Sequence, residues 1–208
     1  MRILDWGSVD YENAVQKQMA ELEHVHQSGD EALIFCHHPA VVTVGRGAVP
    51  DDYKDWTGAL VESSRGGRAT YHGPNQLVIY PIMDLREAHA QFAARDVHAY
   101  LRALERATQI TIQELGLPTA EARTNQVGDI SLTGVWIGEH KVASIGIAVR
   151  KWITYHGIAI NLYQDDLAFQ GIRPCGFAAS VMTSIEEKLG RKVDRQQVQE
   201  IFSQVFLG

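Results

Sequence analysis

An α+β fold in a single domain is what this sequence predicts, and three observations carry the expectation. Segments with apolar residues at helical spacing lie near both ends of the chain and again in its middle. From Val127 to Leu162 the β-branched content rises and strands dominate, without the strict βαβ alternation of a parallel sheet. The 208 residues suit one domain and show no repeat, low-complexity tract or Pro/Ser-rich linker.

Tyr11, Val15, Met19, Leu22 and His26 recur at helical spacing, and Gly29 stops that helix. Ala32–Cys36 and Ala40–Val44 read as two short buried strands. Gly45-Arg46-Gly47 and Ser63–Arg68 read as loops, and Leu77–Ile82 as a further strand. Val97, Leu101, Leu104, Thr108, Ile112 and Leu115 share one face of a long helix that Gly116 and Pro118 end. Gly134–Ile137 and Lys141–Ile145 flank Gly138-Glu139-His140 and predict a hairpin. Val181, Ile185 and Leu189 form a helix closed by Gly190, and Asp194 caps a last one through Val198, Ile201 and Val205.

Composition narrows the function. A 45% hydrophobic, 21% charged chain is ordinary for a globular protein. A net charge of −6 and a pI near 5.8 argue against a nucleic-acid binder, which carries a basic footprint. The start, Met1-Arg2-Ile3-Leu4-Asp5, meets charge before an apolar run builds, unlike a signal peptide. No apolar stretch approaches the roughly 20 residues of a membrane span. Two cysteines make neither a disulfide framework nor a metal motif, so a reducing, cytoplasmic setting with free thiols is expected.

Cys175 lies in Gly171-Ile172-Arg173-Pro174-Cys175-Gly176-Phe177, where proline stiffens one side and glycine frees the other. A loop of this kind presents a thiol to substrate. Cys36 ends an apolar run and reads as a core residue, with His37 pointing to the opposite face of the strand. Lys141 follows a turn, the usual place of a solvated edge residue, yet Val142-Ala143-Ser144-Ile145-Gly146 after it is small and apolar. Such neighbours desolvate an amine and lower its proton affinity, as a base requires. Arg65-Gly66-Gly67-Arg68-Ala69-Thr70-Tyr71-His72-Gly73-Pro74 is the densest polar, glycine-rich stretch and matches no nucleotide signature. The nine histidines include no HxxxH or HExxH pair, so no metal site is expected.

Three stretches together resemble the octanoyltransferase (lipoyl(octanoyl) transferase) family: Arg65–Pro74, then Gly134–Ile137 with Lys141–Gly146, then His156–Asn161 with Asp166-Leu167 and Ile172–Gly176. They occur in the family's order over residues 37–177. The resemblance implies the fold of biotin and lipoate protein ligases, a mixed sheet flanked by helices. It implies Cys175 as acyl-thioester nucleophile and Lys141 as its activating partner. Substrate contacts map onto Arg65, Gly66, Gly67, Arg68, Ala69, Thr70, Tyr71 and His72, onto Ser144, Ile145 and Gly146, and onto Gly157, Ile158 and Ala159. The implied donor is octanoyl-acyl carrier protein. The implied acceptors are lipoyl domains of 2-oxoacid dehydrogenases and the glycine cleavage H protein, with no cofactor. Asn75 stands where the family has glycine, and asparagine's tolerance of positive φ keeps the turn available.

Two alternatives compete with that expectation. An ATP-dependent lipoate or biotin ligase of the same fold activates its acid as an adenylate and needs no thiol. A non-catalytic acyl or carrier-protein binding module would make Cys175 dispensable. Because acidic carriers must dock on an acidic enzyme, Arg46, Arg65, Arg68, Arg150, Lys151 and Arg173 are expected to gather at the mouth of the site.

Overall fold

Short apolar runs and turn residues divide the chain into strands, with one long helix after the first strand and another after the sixth. The computed structural model describes residues 1–124 and 132–208, with the backbone alone of 126, 127, 130 and 131. The chain begins β1 (Arg2–Ser8), α1 (Tyr11–Ser28), β2 (Ala32–His37), β3 (Val41–Val44), β4 (Leu60–Glu62), β5 (Ala69–His72) and β6 (Gln76–Ile82). Then come α2 (Val97–Glu114), β7 (Ala120–Arg123), β8 (Gln126–Val127), β9 (Ile130–Ser131) and β10 (Gly134–Ile137). Last are β11 (His140–Arg150), β12 (Ile153–Asn161), α3 (Ile185–Leu189) and α4 (Arg195–Leu207). Residues 125, 128 and 129 of the expected strand-rich middle lie outside the description.

The main sheet has seven strands in the order β1-β2-β6-β12-β11-β10-β7, with β1 and β2 parallel and the other neighbours antiparallel. Alternation along β2 sorts its side chains: Leu33 and Phe35 enter the larger core, while Ala32, Ile34 and Cys36 face α1. The larger core lies under α2 and α4, where Leu104, Ile112 and Phe202 are fully buried. A second sheet, β4-β3-β5, carries a small core of its own from Val42, Ala69, Tyr71, Phe169 and Ile172. The result is α+β, a mixed sheet flanked by helices.

Three local expectations shift. The buried stripe of α1 is Tyr11, Ala14, Gln18, Leu22 and Val25, so Val15, Met19 and His26 lie beside it. Small Ala14 lies against the sheet, and Gln18 is buried because its Oε1 accepts the His156 backbone N–H at 2.7 Å. Val181 belongs to a separate 3₁₀ turn, and α3 starts only at Ile185, where the Ser184 hydroxyl accepts from the Glu187 amide. Asn75 is not in the left-handed region; the turn from Gly73 to Gln76 closes through Gln76 N–H to Gly73 O at 3.1 Å. A turn with negative φ at its third residue accepts most side chains, so asparagine replaces glycine there without strain.

Leu104 on α2 has no exposed surface. Leu104→Ala is expected to destabilise the fold by about 2–5 kcal/mol, read as a lower urea midpoint at an unchanged m-value; a midpoint unmoved by the substitution contradicts this core assignment.

Candidate active site

A β-bulge aims the lysine. Gly134 pairs with Ser144 and Val135 with Ala143, but Trp136 pairs with Lys141, leaving Val142 as the extra residue. Val142 and Ala143 therefore both pack into the larger core, and Lys141 falls on the face shared by Ser144 and Gly146. Gly134, at φ 144°, makes the space: a Cβ there would lie 2.7 Å from Lys141 Cε and 2.2 Å from the Ala143 carbonyl oxygen. Lys141 is only 1% exposed, with Nζ 5.5 Å from the Trp136 ring centroid. The small apolar neighbours, not the edge position, decide its environment.

Cys175 sits in a 3₁₀ turn, Pro174–Gly176, with φ 55° and ψ 20°. A non-glycine residue held left-handed costs about 1–3 kcal/mol, which the surroundings must impose. They do so from both sides: the Arg173 N–H donates to the Asp52 carbonyl oxygen at 2.7 Å, and Phe177 packs edge-on against Trp136 with centroids 5.3 Å apart. Cys175 is half-buried and its Sγ lies 3.8 Å from Lys141 Nζ. Cys36, fully buried on β2, has its thiol pushed far up by burial and takes no part.

Cys175 opens onto a cavity of about 270 Å³ between the two sheets. Of the residues expected at a substrate site, Arg65, Gly66, Gly67, Arg68, Thr70 and His72 line it from one side. Ser144, Ile145, Gly146, Gly157, Ile158 and Ala159 line it from the other. Ala69 and Tyr71 do not: they alternate with Thr70 and His72 along β5 and turn into the small core. Tyr11, Val78, Tyr80 and His156 also line it and lie outside the expected set. Only the alternation of Val78 and Tyr80 with their neighbours held any signal for them.

The wall is mostly apolar and carries Arg65 and Arg68 but no carboxylate among its described residues. Buried Arg65 donates to Thr43 O at 2.8 Å, Thr43 Oγ1 at 2.7 Å and Gly66 O at 3.0 Å, all neutral acceptors. Three buried histidines stay neutral. Burial and the Arg65 charge push His156 down to about 3, and burial with the nearby His38 and Arg65 holds His72 well below the usual imidazole range. Burial lowers His38 as well. Of the cations expected at the mouth, Arg65 is instead buried, Arg68 is ion-paired with buried Asp52, and Lys151 pairs with Glu23 at 3.0 Å. Arg46, Arg150 and Arg173 are exposed.

The architecture is that of the lipoate and biotin protein ligases. A bi-partite lipoate protein ligase from Thermoplasma acidophilum superposes with a TM-score of 0.66 at 17% identity, over 99% of this chain and 81% of that one. A biotin protein ligase from Aquifex aeolicus superposes at 0.56 and 14%, over 99% and 68%. In sequence, residues 10–207 match the lipoyl protein ligase A/B catalytic domain. An octanoyltransferase from Bdellovibrio bacteriovorus is 44% identical over 202 residues, 94% of this chain and 92% of its own. One from a Geobacter species is 39% identical over 191 residues, 91% and 87% of the two chains. The chain therefore belongs to the lipoyl protein ligase A/B catalytic-domain family, as an acyltransferase of its octanoyltransferase group.

The histidines make stability acid-sensitive. Unfolded imidazole titrates near 6.5, whereas folded His156 does so near 3. Between those values the unfolded chain takes up a proton that the folded chain refuses, so the stability present above about pH 6.5 is lost as pH falls. This residue alone contributes a slope of up to about 1.4 kcal/mol per pH unit, and His38 and His72 act in the same direction. Urea unfolding between pH 7 and pH 5 is expected to show stability falling by more than one proton's worth; a flat profile would mean that these imidazoles ionise inside the fold.

Proposed function

We propose that this chain moves an octanoyl group from octanoyl-acyl carrier protein to a lysine of lipoyl domains, including those of 2-oxoacid dehydrogenases and the glycine cleavage H protein. The transfer runs through a thioester on Cys175. One observation carries the reading: Cys175 Sγ stands 3.8 Å from a fully buried amine, at the opening of a cavity walled largely by apolar surface. The relatives named above are octanoyltransferases, which supports the choice of acyl group.

A free thiol is only a few per cent ionised at neutral pH. In the first half-reaction Lys141 Nζ accepts the thiol proton, and the thiolate attacks the donor's thioester carbonyl. The carrier thiolate leaves and takes a proton from the Lys141 ammonium, which restores the amine. In the second, the acceptor lysine's amine attacks the Cys175 thioester, the Cys175 thiolate departs, and Lys141 carries away the amine's proton. Arg65 adds a fixed positive charge near the developing oxyanion. The Ser144 hydroxyl, on the same wall and without a partner among the described residues, would serve as a donor to the acyl carbonyl. The chemistry consumes no nucleotide, which distinguishes it from adenylate-forming ligases of the same fold, and it needs a reducing, cytoplasmic setting to keep the thiol free.

Intact-protein mass spectrometry after mixing with octanoyl-acyl carrier protein is expected to show one octanoyl adduct without ATP, mapping to Cys175 and absent in Cys175→Ser. An adduct on Cys36, or a strict ATP requirement, overturns the mechanism.

Lys141→Ala and Lys141→Arg are each expected to slow acyl-enzyme formation by about 10²–10⁴-fold, because arginine keeps the charge but cannot shed its proton. Near-normal rates with arginine would reduce the lysine's role to that of a fixed charge.

A further inference from the structure

Two residues of the cavity wall carry a buried polar side-chain atom with no protein partner among the described residues: Ser144 at Oγ and His156 at Nδ1. The serine shares a face with Lys141, where an acyl carbonyl would meet it. The histidine has no such counterpart in an alkyl tail. His156 is 2% exposed, with Nε2 facing Ser64 Oγ at 3.1 Å and Tyr11 stacked parallel at 6.4 Å.

Its backbone is left-handed, φ 59°, in the middle of β12. Regular alternation would send His156 into the larger core with Ile158 and Ile160. The left-handed residue instead turns the imidazole onto the cavity face, beneath α1. Gln18, reaching from α1 to the His156 N–H, holds that conformation. Strain maintained at a buried, cavity-facing polar group points to a role in binding.

The strand register fixes where that group lies. His156 pairs with Ile147, and Ile160 pairs with Ala143, beside the Lys141 end. Four residues of strand, at roughly 3.3 Å each, put the imidazole on the order of 13 Å along the sheet from the reacting end.

We propose that His156 sets the acyl chain-length limit of the site: its imidazole forms the wall at the far end of the cavity, which an octanoyl tail reaches and a longer tail must displace. Displacing it breaks the Ser64 contact at Nε2, the Tyr11 stack and the Gln18 hold on its backbone together. A plain apolar end wall would yield by side-chain rearrangement. A polar one, held by a strained backbone, discriminates more sharply.

The inference rests on the acyl-transfer reading above, and one experiment separates the two. Acyl-enzyme formation is measured with octanoyl, decanoyl and dodecanoyl thioesters of acyl carrier protein, for wild type, His156→Asn and His156→Gly. Asparagine and glycine both accept positive φ, and melting curves establish that each variant folds. The decanoyl-to-octanoyl ratio of kcat/KM is expected to rise by roughly 10-fold or more in both variants, the scale of a methylene's fit in a pocket. An unchanged ratio in folded variants overturns the proposal, whether all chain lengths slow together or none does. Wild type that forms no adduct with any chain length defeats the acyl-transfer reading instead.

Discussion

Burying the Arg65 guanidinium and the Lys141 amine in one cavity wall is the constraint around which this molecule is arranged. Removing a charge from water costs several kcal/mol even after relaxation. Arg65 recovers part of that through Thr43 and Gly66. Among the described residues, Lys141 Nζ has only Cys175 Sγ as a hydrogen-bond partner, with the Trp136 face beside it. Burial, reinforced by the Arg65 charge, keeps the surrounding imidazoles of His72 and His156 uncharged. A neutral thiol satisfies such an interior poorly and an anion satisfies it well. The bulge in β11, the glycine that clears its path and the strained turn at Cys175 all bring the one ionisable sulfur on the wall to the one buried amine.

Much of the scaffold was legible because periodicity is a local property. The spacing of α1 and α2, the β10–β11 hairpin and the Asp194 cap all follow from residues close in sequence. Edge strand β1 was not legible, since Arg2 and Asp5 interrupt its apolar residues and it pairs on one side only. Strand β5 was hidden by the polar character of Thr70 and His72, which are apolar neither in type nor in role because they face the cavity. The bulge could not be read at all: its sequence, Lys141-Val142-Ala143, alternates no differently from an ordinary strand.

The candidate site divides along the same line. Cys175, Lys141 and the glycine-rich stretch stand out by type and context. His156 and Tyr11 do not, because their positions depend on a left-handed residue in β12 and on where α1 lies across the sheet. Chain-distant packing likewise moved Arg65 from the expected rim to the interior and tied Arg68 and Lys151 to acidic partners.

Asp52 holds together two segments that lie far apart in the chain. Its carboxylate grips Arg68 of the glycine-rich stretch and accepts the Val49 N–H at 3.0 Å, while its carbonyl oxygen receives the Arg173 amide just ahead of the nucleophile. One buried residue thus fastens one wall of the cavity to the turn that carries the thiol. The wall that carries Arg68 and the placement of the thiol therefore share one buried anchor, and a substitution at Asp52 reaches both at once.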